Sequence, residues 1–370
     1  MPESVDHALC PSHCPGCSDR GATAEERLAE KTRFLKVVLS SWQRQMAPIQ
    51  TPDPSGLAGY RHKACLSACW VDKDWHLGLK HRQSVVPIHD CPVHAPLVRD
   101  TVHLFTKIVP SGQDFPLVYY AQSGAQVTLV VKSRHMPDCE WLSPSVERRL
   151  AVLGVEGLWI HLHPSAGNRV FAKTGWHLRW GTPWSFTNAY GTPLQYGPTA
   201  FQQLIPDLFN HALDRAESFL SPEPDDLVVD LYSGIGSTLA RWTRRTPHVI
   251  GVEVGGEAVT CARSNAPDAT VLRGTCAHRI AQLTEMIDRP FSRRLAWINP
   301  PRTGIEPEVV HWLTNTCRPV KMVYLSCNPR TLARDLEAFQ AAGYDVDMLM
   351  PFDFFPHARH TETLALITVR

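Results

Sequence analysis

Residues 227–236 read Leu-Val-Val-Asp-Leu-Tyr-Ser-Gly-Ile-Gly, and the fold class follows from them. A short apolar run with no alternation is the signature of a strand buried on both faces. Glycines directly after it, at Gly234 and Gly236, let the backbone approach a ligand with no Cβ in the way. A helix is expected next, and its first turn would present N–H groups that lack intrahelical partners. A second strand, HVIGVEV (248–254), then carries Glu253 near its end. A carboxylate there can accept hydrogen bonds from both hydroxyls of a ribose. A nicotinamide dinucleotide would ask for a third glycine three residues after Gly236, and Leu239 stands there instead. Without a pyrophosphate to cradle, that glycine is unnecessary, so S-adenosylmethionine is favoured over NAD.

Working outward, LAWINP (295–300), MVYLSCN (322–328) and LALITV (364–369) are further apolar strand candidates with helical stretches between some of them. Strands alternating with helices imply α/β architecture, with a mostly parallel sheet covered on both faces. Towards the N-terminus the texture differs. LVYYA (117–121), QVTLVVK (126–132) and LWIHLH (158–163) are β-branched or aromatic, and GNRVFAKTGWHLRW reads as a hairpin turning near Gly175. Helices are expected from Ala24 to about Gln45 and from about Thr199 to Ser221. The expected partition is a cysteine-bearing segment with a helix (1–55), a smaller strand-rich domain contacting RNA (56–187), and a cofactor-binding domain (188–370).

The chain has 370 residues, 44% of them hydrophobic, which suffices for two or three cores. No apolar run approaches the roughly 20 residues of a membrane helix. The first residues, MPESVDHALCPSHC, lack the basic and apolar regions of a signal peptide, so a cytoplasmic location is expected. The net charge is +1, so no global field draws in nucleic acid. Any RNA contact must use local patches, for which Arg241, Arg244 and Arg245, then Arg293 and Arg294, are candidates; solvated helix and loop faces are the alternative.

Two turns narrow the chemistry. Asn299-Pro300-Pro301-Arg302 follows the strand LAWI, and the proline pair ends the strand and stiffens the loop beyond it. Ser326-Cys327-Asn328-Pro329 follows the strand MVYL in the same way. A cysteine at a strand's carboxyl end, beside a cofactor crevice, is placed to be a nucleophile; elsewhere a buried cysteine is usually a small apolar residue. Among the eleven cysteines, Cys10, Cys14 and Cys17 lie close together in a segment with little else to fold around. Such a trio suggests a metal or cluster site, with zinc, an iron–sulfur cluster, radical S-adenosylmethionine chemistry or no ligation as the alternatives. Cys65 and Cys69 fall in a strand-like stretch and read as core.

GIG, NPPRTGIEP, LSCNPRTLARDL and PFDFFPHARHTETLALI, in that order, resemble the signatures of the RNA uracil-5-methyltransferase family. GYRHKA, DCPVHAP and GNRVFA agree more loosely. The length, and the lack of an N-terminal RNA-binding β-barrel (a TRAM domain), are similar to the branch that methylates a uridine in 23S ribosomal RNA. The resemblance implies a class I Rossmann-like methyltransferase domain, an RNA partner, no membrane and no protein partner. It makes Cys327 the thiolate that adds to carbon 6 of uracil, and Glu362, in His360-Thr361-Glu362, the base that removes the proton from carbon 5. It places Gln195, Asp230, Tyr232, Gly234, Gly236 and Glu253 at the cofactor, and Asn299 between the methyl donor and the base. Asn299 departs from the family's usual aspartate, and Thr275 stands where many relatives have an acid for the adenine amine. For Cys10, Cys14, Cys17 and Cys91 it implies a [4Fe–4S] cluster. Phe352, Phe354 and Phe355 are candidates either for stacking a flipped base or for core. Other readings are a methyltransferase for another target such as tRNA, and an RNA-binding iron–sulfur protein with an altered site.

Overall fold

The computed structural model describes residues 10–18, 21–53 and 57–370. Helix α1 (Ala24–Val38) starts on a capping box. The Thr23 hydroxyl accepts the Glu26 N–H at 3.2 Å, and the Glu26 carboxylate accepts the Thr23 N–H at 2.7 Å. This pairing satisfies two donors that a helix start would otherwise leave orphaned. The helix ends at Leu39, and a 3-10 turn (Ser40–Gln45) replaces the expected last turns.

The chain forms two compact units. They do not follow the expected partition: the first comprises Met1–Arg20, Asp53–Ser185 and Gly197–Leu204, and the second Gly21–Pro52, Phe186–Tyr196 and Ile205–Arg370. Helix α1 therefore belongs with the C-terminal unit, because Leu35, Leu39 and Trp42 are buried in that unit's core.

The first unit is built on one sheet, in spatial order β3-β2-β1-β4-β5-β6-β7. Its strands are β1 (Lys63–Val71), β2 (Asp74–His81), β3 (Ser84–Pro87), β4 (Leu117–Ser123), β5 (Gln126–Val131), β6 (Gly157–Leu162) and β7 (Trp176–Gly181). Only β5 and β6 pair in parallel, and α3 (Pro144–Leu153) crosses between them. Helix α2 (Pro96–Ile108) buries Val98, Val102 and Phe105 in the same core. Two of the loosely matching motifs meet here, since the Arg61 N–H donates to Val93 O at 2.9 Å and the Ala95 N–H to Arg61 O at 3.0 Å. Residues 167–175 form no strand, so the expected hairpin is instead β6 with β7. The core reading of Cys65 and Cys69 does not hold: on alternating strand β1, Cys65 is exposed and Cys69 half-buried.

Two short strands, β8 (Ser185–Thr187) and β9 (Leu194–Tyr196), pair with each other. Helix α4 (Pro206–Leu220) begins later than expected, with Pro206 in its first turn, where a missing N–H costs nothing. The rest of the second unit runs β10 (Leu227–Leu231), α5 (Leu239–Trp242), β11 (Val249–Glu253), α6 (Gly256–Asn265), β12 (Thr270–Arg273), α7 (Cys276–Ile287), β13 (Arg294–Ile298), α8 (Pro307–Trp312), β14 (Lys321–Ser326), α9 (Pro329–Ala341), β15 (Tyr344–Phe352) and β16 (Glu362–Val369). The sheet order is β12-β11-β10-β13-β14-β16-β15. The first five strands are parallel, and β16 runs antiparallel to β14 and β15. The order reverses at β10, so a crevice is expected where the loops after β10 and β13 diverge. Among the described residues, no helix is long and apolar enough to cross a membrane.

The segment that leads from β15 into β16 is tied to α1 by a buried ion pair. Lys31 Nζ lies 2.6 Å from Asp353 Oδ1 and donates to Phe355 O at 3.0 Å. Phe352 and Phe354 are fully buried and stacked, with centroids 5.9 Å apart, so these two rings are core. Phe355 is half-buried, edge-on to His360. Removing one partner of a buried pair strands the other charge. Lys31→Met is therefore expected to lower stability by about 3–5 kcal/mol in urea denaturation, and a Lys31→Met/Asp353→Leu double variant should recover most of it.

A candidate active site at the carboxyl ends of the parallel strands

The pairing of β14 with β16 sets the central geometry. Ser326 faces Thr363 across the antiparallel ladder. One step further in the same register brings Cys327 opposite Glu362, which opens β16. Glu362 is buried and Cys327 half-buried. Burial pushes the Cys327 thiol above its ordinary value, and the Glu362 carboxylate pushes it further. The positive charge of Arg302 nearby pulls the other way. The NPPR turn carries no local sign of a task for Arg302; only the fold brings it near the thiol.

That turn is fastened to the start of α9. Asn328 caps the helix by accepting the Arg330 N–H at 3.1 Å, and its Nδ2 donates to Arg302 O at 3.1 Å. The Thr331 hydroxyl donates to the same carbonyl at 3.4 Å. Deeper down, Asp335 is buried and accepts from the Ile305 N–H at 3.1 Å, from the Tyr324 hydroxyl at 2.8 Å and from Arg334. Gly304 sits at φ +79, and a Cβ there would lie 2.6 Å from the Asp335 carboxylate, so no other residue fits without displacing this network. The segment LSCNPRTLARDL thus supplies both the thiol and the clamps on the facing loop.

The glycine turn after β10 has two distinct jobs. Gly234 lies at φ +56 with open space where a Cβ would be, and its N–H donates to Glu253 Oε2 at 3.0 Å. Glu253 Oε1 accepts the Gly255 N–H at 2.6 Å, which holds the carboxylate at the mouth of the crevice. A Cβ on Gly236 would lie 2.9 Å from the Cα of Ala262, so this glycine serves loop-to-helix packing rather than ligand approach. The following helix, α5, is a single turn. Asp230 is fully buried and pushed up to about 7 by burial, against the pull of Thr238 and Trp242; the Trp242 indole donates to it at 3.0 Å. Tyr232, held at φ 64, donates its hydroxyl to Glu306. Gln195 joins the turn through Asn265, which donates to Gln195 O at 2.9 Å and to Ile235 O at 2.8 Å. The Asn299 N–H donates to Leu231 O at 3.3 Å, placing this half-buried residue beside the turn. Thr275 caps α7, accepting the His278 N–H at 3.2 Å.

Comparison with known proteins bears on the family and the fold. The family model described as tRNA (Uracil-5-)-methyltransferase matches residues 195–370. A 23S rRNA (uracil(1939)-C(5))-methyltransferase of Methylococcus capsulatus is 27% identical over 377 residues, covering 95% of this chain and 80% of its own length. Its counterpart in Vibrio parahaemolyticus is 26% identical over 97% of this chain and 81% of its own. Residues 195–370 thus match the RNA uracil-5-methyltransferase family model, and the chain is similar over nearly its whole length to these 23S rRNA enzymes. The crystal structure of the Pyrococcus abyssi tRNA (uracil-54, C5)-methyltransferase with S-adenosyl-L-homocysteine has the same fold, with TM-score 0.72 and 21% identity over 96% of this chain and 86% of that one.

Two expectations for this uracil-5-methyltransferase relative meet the structure differently. The basic patches are largely neutralised. Arg241 pairs with Asp214 and Glu217, Arg245 with Glu217 at 2.5 Å, and Arg293 with Asp226 at 2.5 Å. Arg294 donates to the carbonyls of Cys317 and Ile287. Arg241, Arg245, Arg293 and Arg294 thus brace the fold, while Arg244 is exposed and makes no ion pair among the described residues. For the expected cluster, no three of the described His, Cys, Asp and Glu residues are gathered to hold a metal. Cys14 does approach Cys91, close enough to push its thiol up after burial has done so.

Two measurements check the electrostatics. Iodoacetamide labelling of Cys327, followed on its own peptide by mass spectrometry, should speed up as pH rises through the ordinary thiol range. Glu362→Gln removes a charge that disfavours the thiolate and should label faster than wild type; Arg302→Gln should label more slowly. Asp230 has a folded value above its unfolded one, so its contribution to stability is present at acid pH and lost as pH rises towards about 7. Thermal melts of Asp230→Asn and wild type should diverge in the variant's favour between about pH 4 and about pH 7.

Proposed function

We propose that this chain is an S-adenosylmethionine-dependent methyltransferase acting in the cytoplasm on carbon 5 of a uracil in RNA, with 23S ribosomal RNA as substrate. The observation that carries the reading is the meeting of Cys327, Glu362 and Arg302 at the end of the sheet that also carries the glycine turn. The names of the full-length relatives point to ribosomal RNA.

Bound S-adenosylmethionine supplies an electrophilic methyl group on a sulfonium sulfur. The residues at hand suit it: Glu253 keeps lone pairs for two ribose hydroxyls, and Gly234 leaves room beside the turn. Asp230, Tyr232, Gly236 and Gln195 shape and brace that turn. Carbon 5 of uracil is a weak nucleophile until a thiolate adds to carbon 6. Cys327 forms that bond, with Arg302 favouring the deprotonated sulfur. The resulting enolate would hold the electron pair at carbon 5 that takes the methyl group, the sulfonium–carbon bond breaking with its electrons left on the sulfur of S-adenosylhomocysteine. Glu362 then takes the proton from carbon 5, and the electrons released restore the ring double bond and expel the Cys327 thiolate. Once the sulfur is a thioether, its repulsion with the Glu362 carboxylate is gone, which favours the adduct and leaves the base ionised for its step. The Asn299 amide can donate to a uracil carbonyl and accept from N3–H, a pairing that needs no charge.

RNA carrying 5-fluorouridine should trap a covalent complex, since fluorine cannot leave as a proton. Cys327→Ala is expected to form none, and Glu362→Gln to accumulate an adduct even on ordinary uridine. Glu253→Ala should weaken S-adenosylmethionine binding about 10- to 100-fold in calorimetry, the scale of one or two charge-assisted hydrogen bonds. Mass spectrometry of ribosomal and transfer RNA from a deletion strain decides the substrate; undiminished 5-methyluridine in every RNA class would overturn the reading. Cys10, Cys14, Cys17 and Cys91 are proposed as ligands of a [4Fe–4S] cluster, supported by their number and by the approach of Cys14 to Cys91. No catalytic step uses it. Iron and sulfide assays on anaerobically purified protein test it, and zinc or no metal in their place would end it.

A further inference from the structure

The neutralised patches leave open where RNA is gripped, and the second half of α1 offers an answer. From Lys31 to Gln50 the chain contains no aspartate or glutamate, yet it carries Lys31, Arg33, Lys36 and Arg44. Lys31 is committed to Asp353, whereas Arg33, Lys36 and Arg44 are exposed. The three acids of α1 lie earlier: Glu25 is in the first turn, Glu26 serves the capping box and Glu30 pairs with Arg359 at 3.6 Å. Between the exposed cations, Phe34 and Val37 point outward, 39% and 70% exposed. The two form a small apolar patch between the cations. The Arg330 guanidinium sits 5.8 Å from the Phe34 ring centroid. Arg330 lies in the first turn of α9, three residues past Cys327, so this platform adjoins the mouth of the candidate active site.

We propose that this face of α1, together with Arg330, docks the single-stranded RNA flanking the target uridine. A neighbouring base stacks on Phe34, and Arg33 and Lys36 meet the flanking phosphates. The inference rests on the RNA-methylation reading above. The partner follows from chemistry: an aromatic ring offers a face to any base, cations without competing acids suit a phosphate chain, and a base drawn from its helix leaves single-stranded neighbours. A second copy of this chain would need an acidic complement, which this segment does not offer to itself.

The probes are fluorescein-labelled oligouridine and a 23S ribosomal RNA transcript with tritiated S-adenosylmethionine. Phe34→Ala is expected to raise KM for the transcript about 10-fold, the scale of one lost stacking contact, with kcat and S-adenosylmethionine affinity unchanged; Phe34→Trp should restore it. Arg33→Ala/Lys36→Ala should lower the slope of log affinity for oligouridine against log salt by about 1.4. If wild type methylates the transcript but these variants match it in KM and salt slope, the α1 surface is overturned while the enzymatic reading stands. If wild type neither binds nor methylates RNA, both fall. If Phe34→Ala abolishes self-association in gel filtration and leaves RNA binding intact, the face belongs to a second copy and the proposal is overturned.

Discussion

The antiparallel register between β14 and β16 is the constraint on which the candidate site depends. Side chains alternate along a strand with a period of two, so a slip of one residue would turn Glu362 away from Cys327. What holds the register is burial on both faces of the strand pair. Met322, Val323, Tyr324 and Leu325 on one strand and Leu364, Ala365 and Ile367 on the other are almost wholly buried. A slipped ladder would have to carry Ser326 and Thr363 into that apolar packing. The thiol and the carboxylate are thus positioned by a hydrophobic core that takes no part in the chemistry.

Around this pair the structure spends charge mainly on architecture. Asp335 gathers Tyr324, Arg334 and the backbone of Ile305, and so fixes the loop that carries Arg302. Lys31 and Asp353 tie α1 to the segment entering β16. Each is a buried polar group whose partners are all protein, and such groups specify one arrangement because a half-satisfied alternative is costly. Exposed cations outside these networks include Arg33 and Lys36 on α1 and Arg330 at the start of α9. A net charge of +1 is therefore compatible with an RNA substrate: local distribution matters where the total is close to zero.

Opposing influences on Cys327 also have a functional sense. Burial and Glu362 keep the thiol protonated in the resting protein, which guards it against adventitious oxidation. Arg302 supplies the compensating pull at the same atom.

The local composition of residues 227–236, 248–254, 295–302 and 322–329 already determines five features: the parallel sheet, the glycine turn, Glu253 at a strand end, the proline-stiffened loop and the exposed end carrying Cys327. These are legible because each depends on neighbours within a few residues: apolar runs, glycines with open φ, prolines that end strands. What the tertiary structure decided involves residues far apart in the chain. The membership of α1 in the C-terminal unit, the approach of Arg302 to Cys327, the bracing of Gln195 by Asn265 and the pairing of the arginines with acids have no local signature. The same holds for Phe352 and Phe354, whose sequence fits a stacking platform or a core equally well, and which packing against each other made core. Period and turn chemistry are local properties of a chain, whereas which charge meets which depends on how the elements pack.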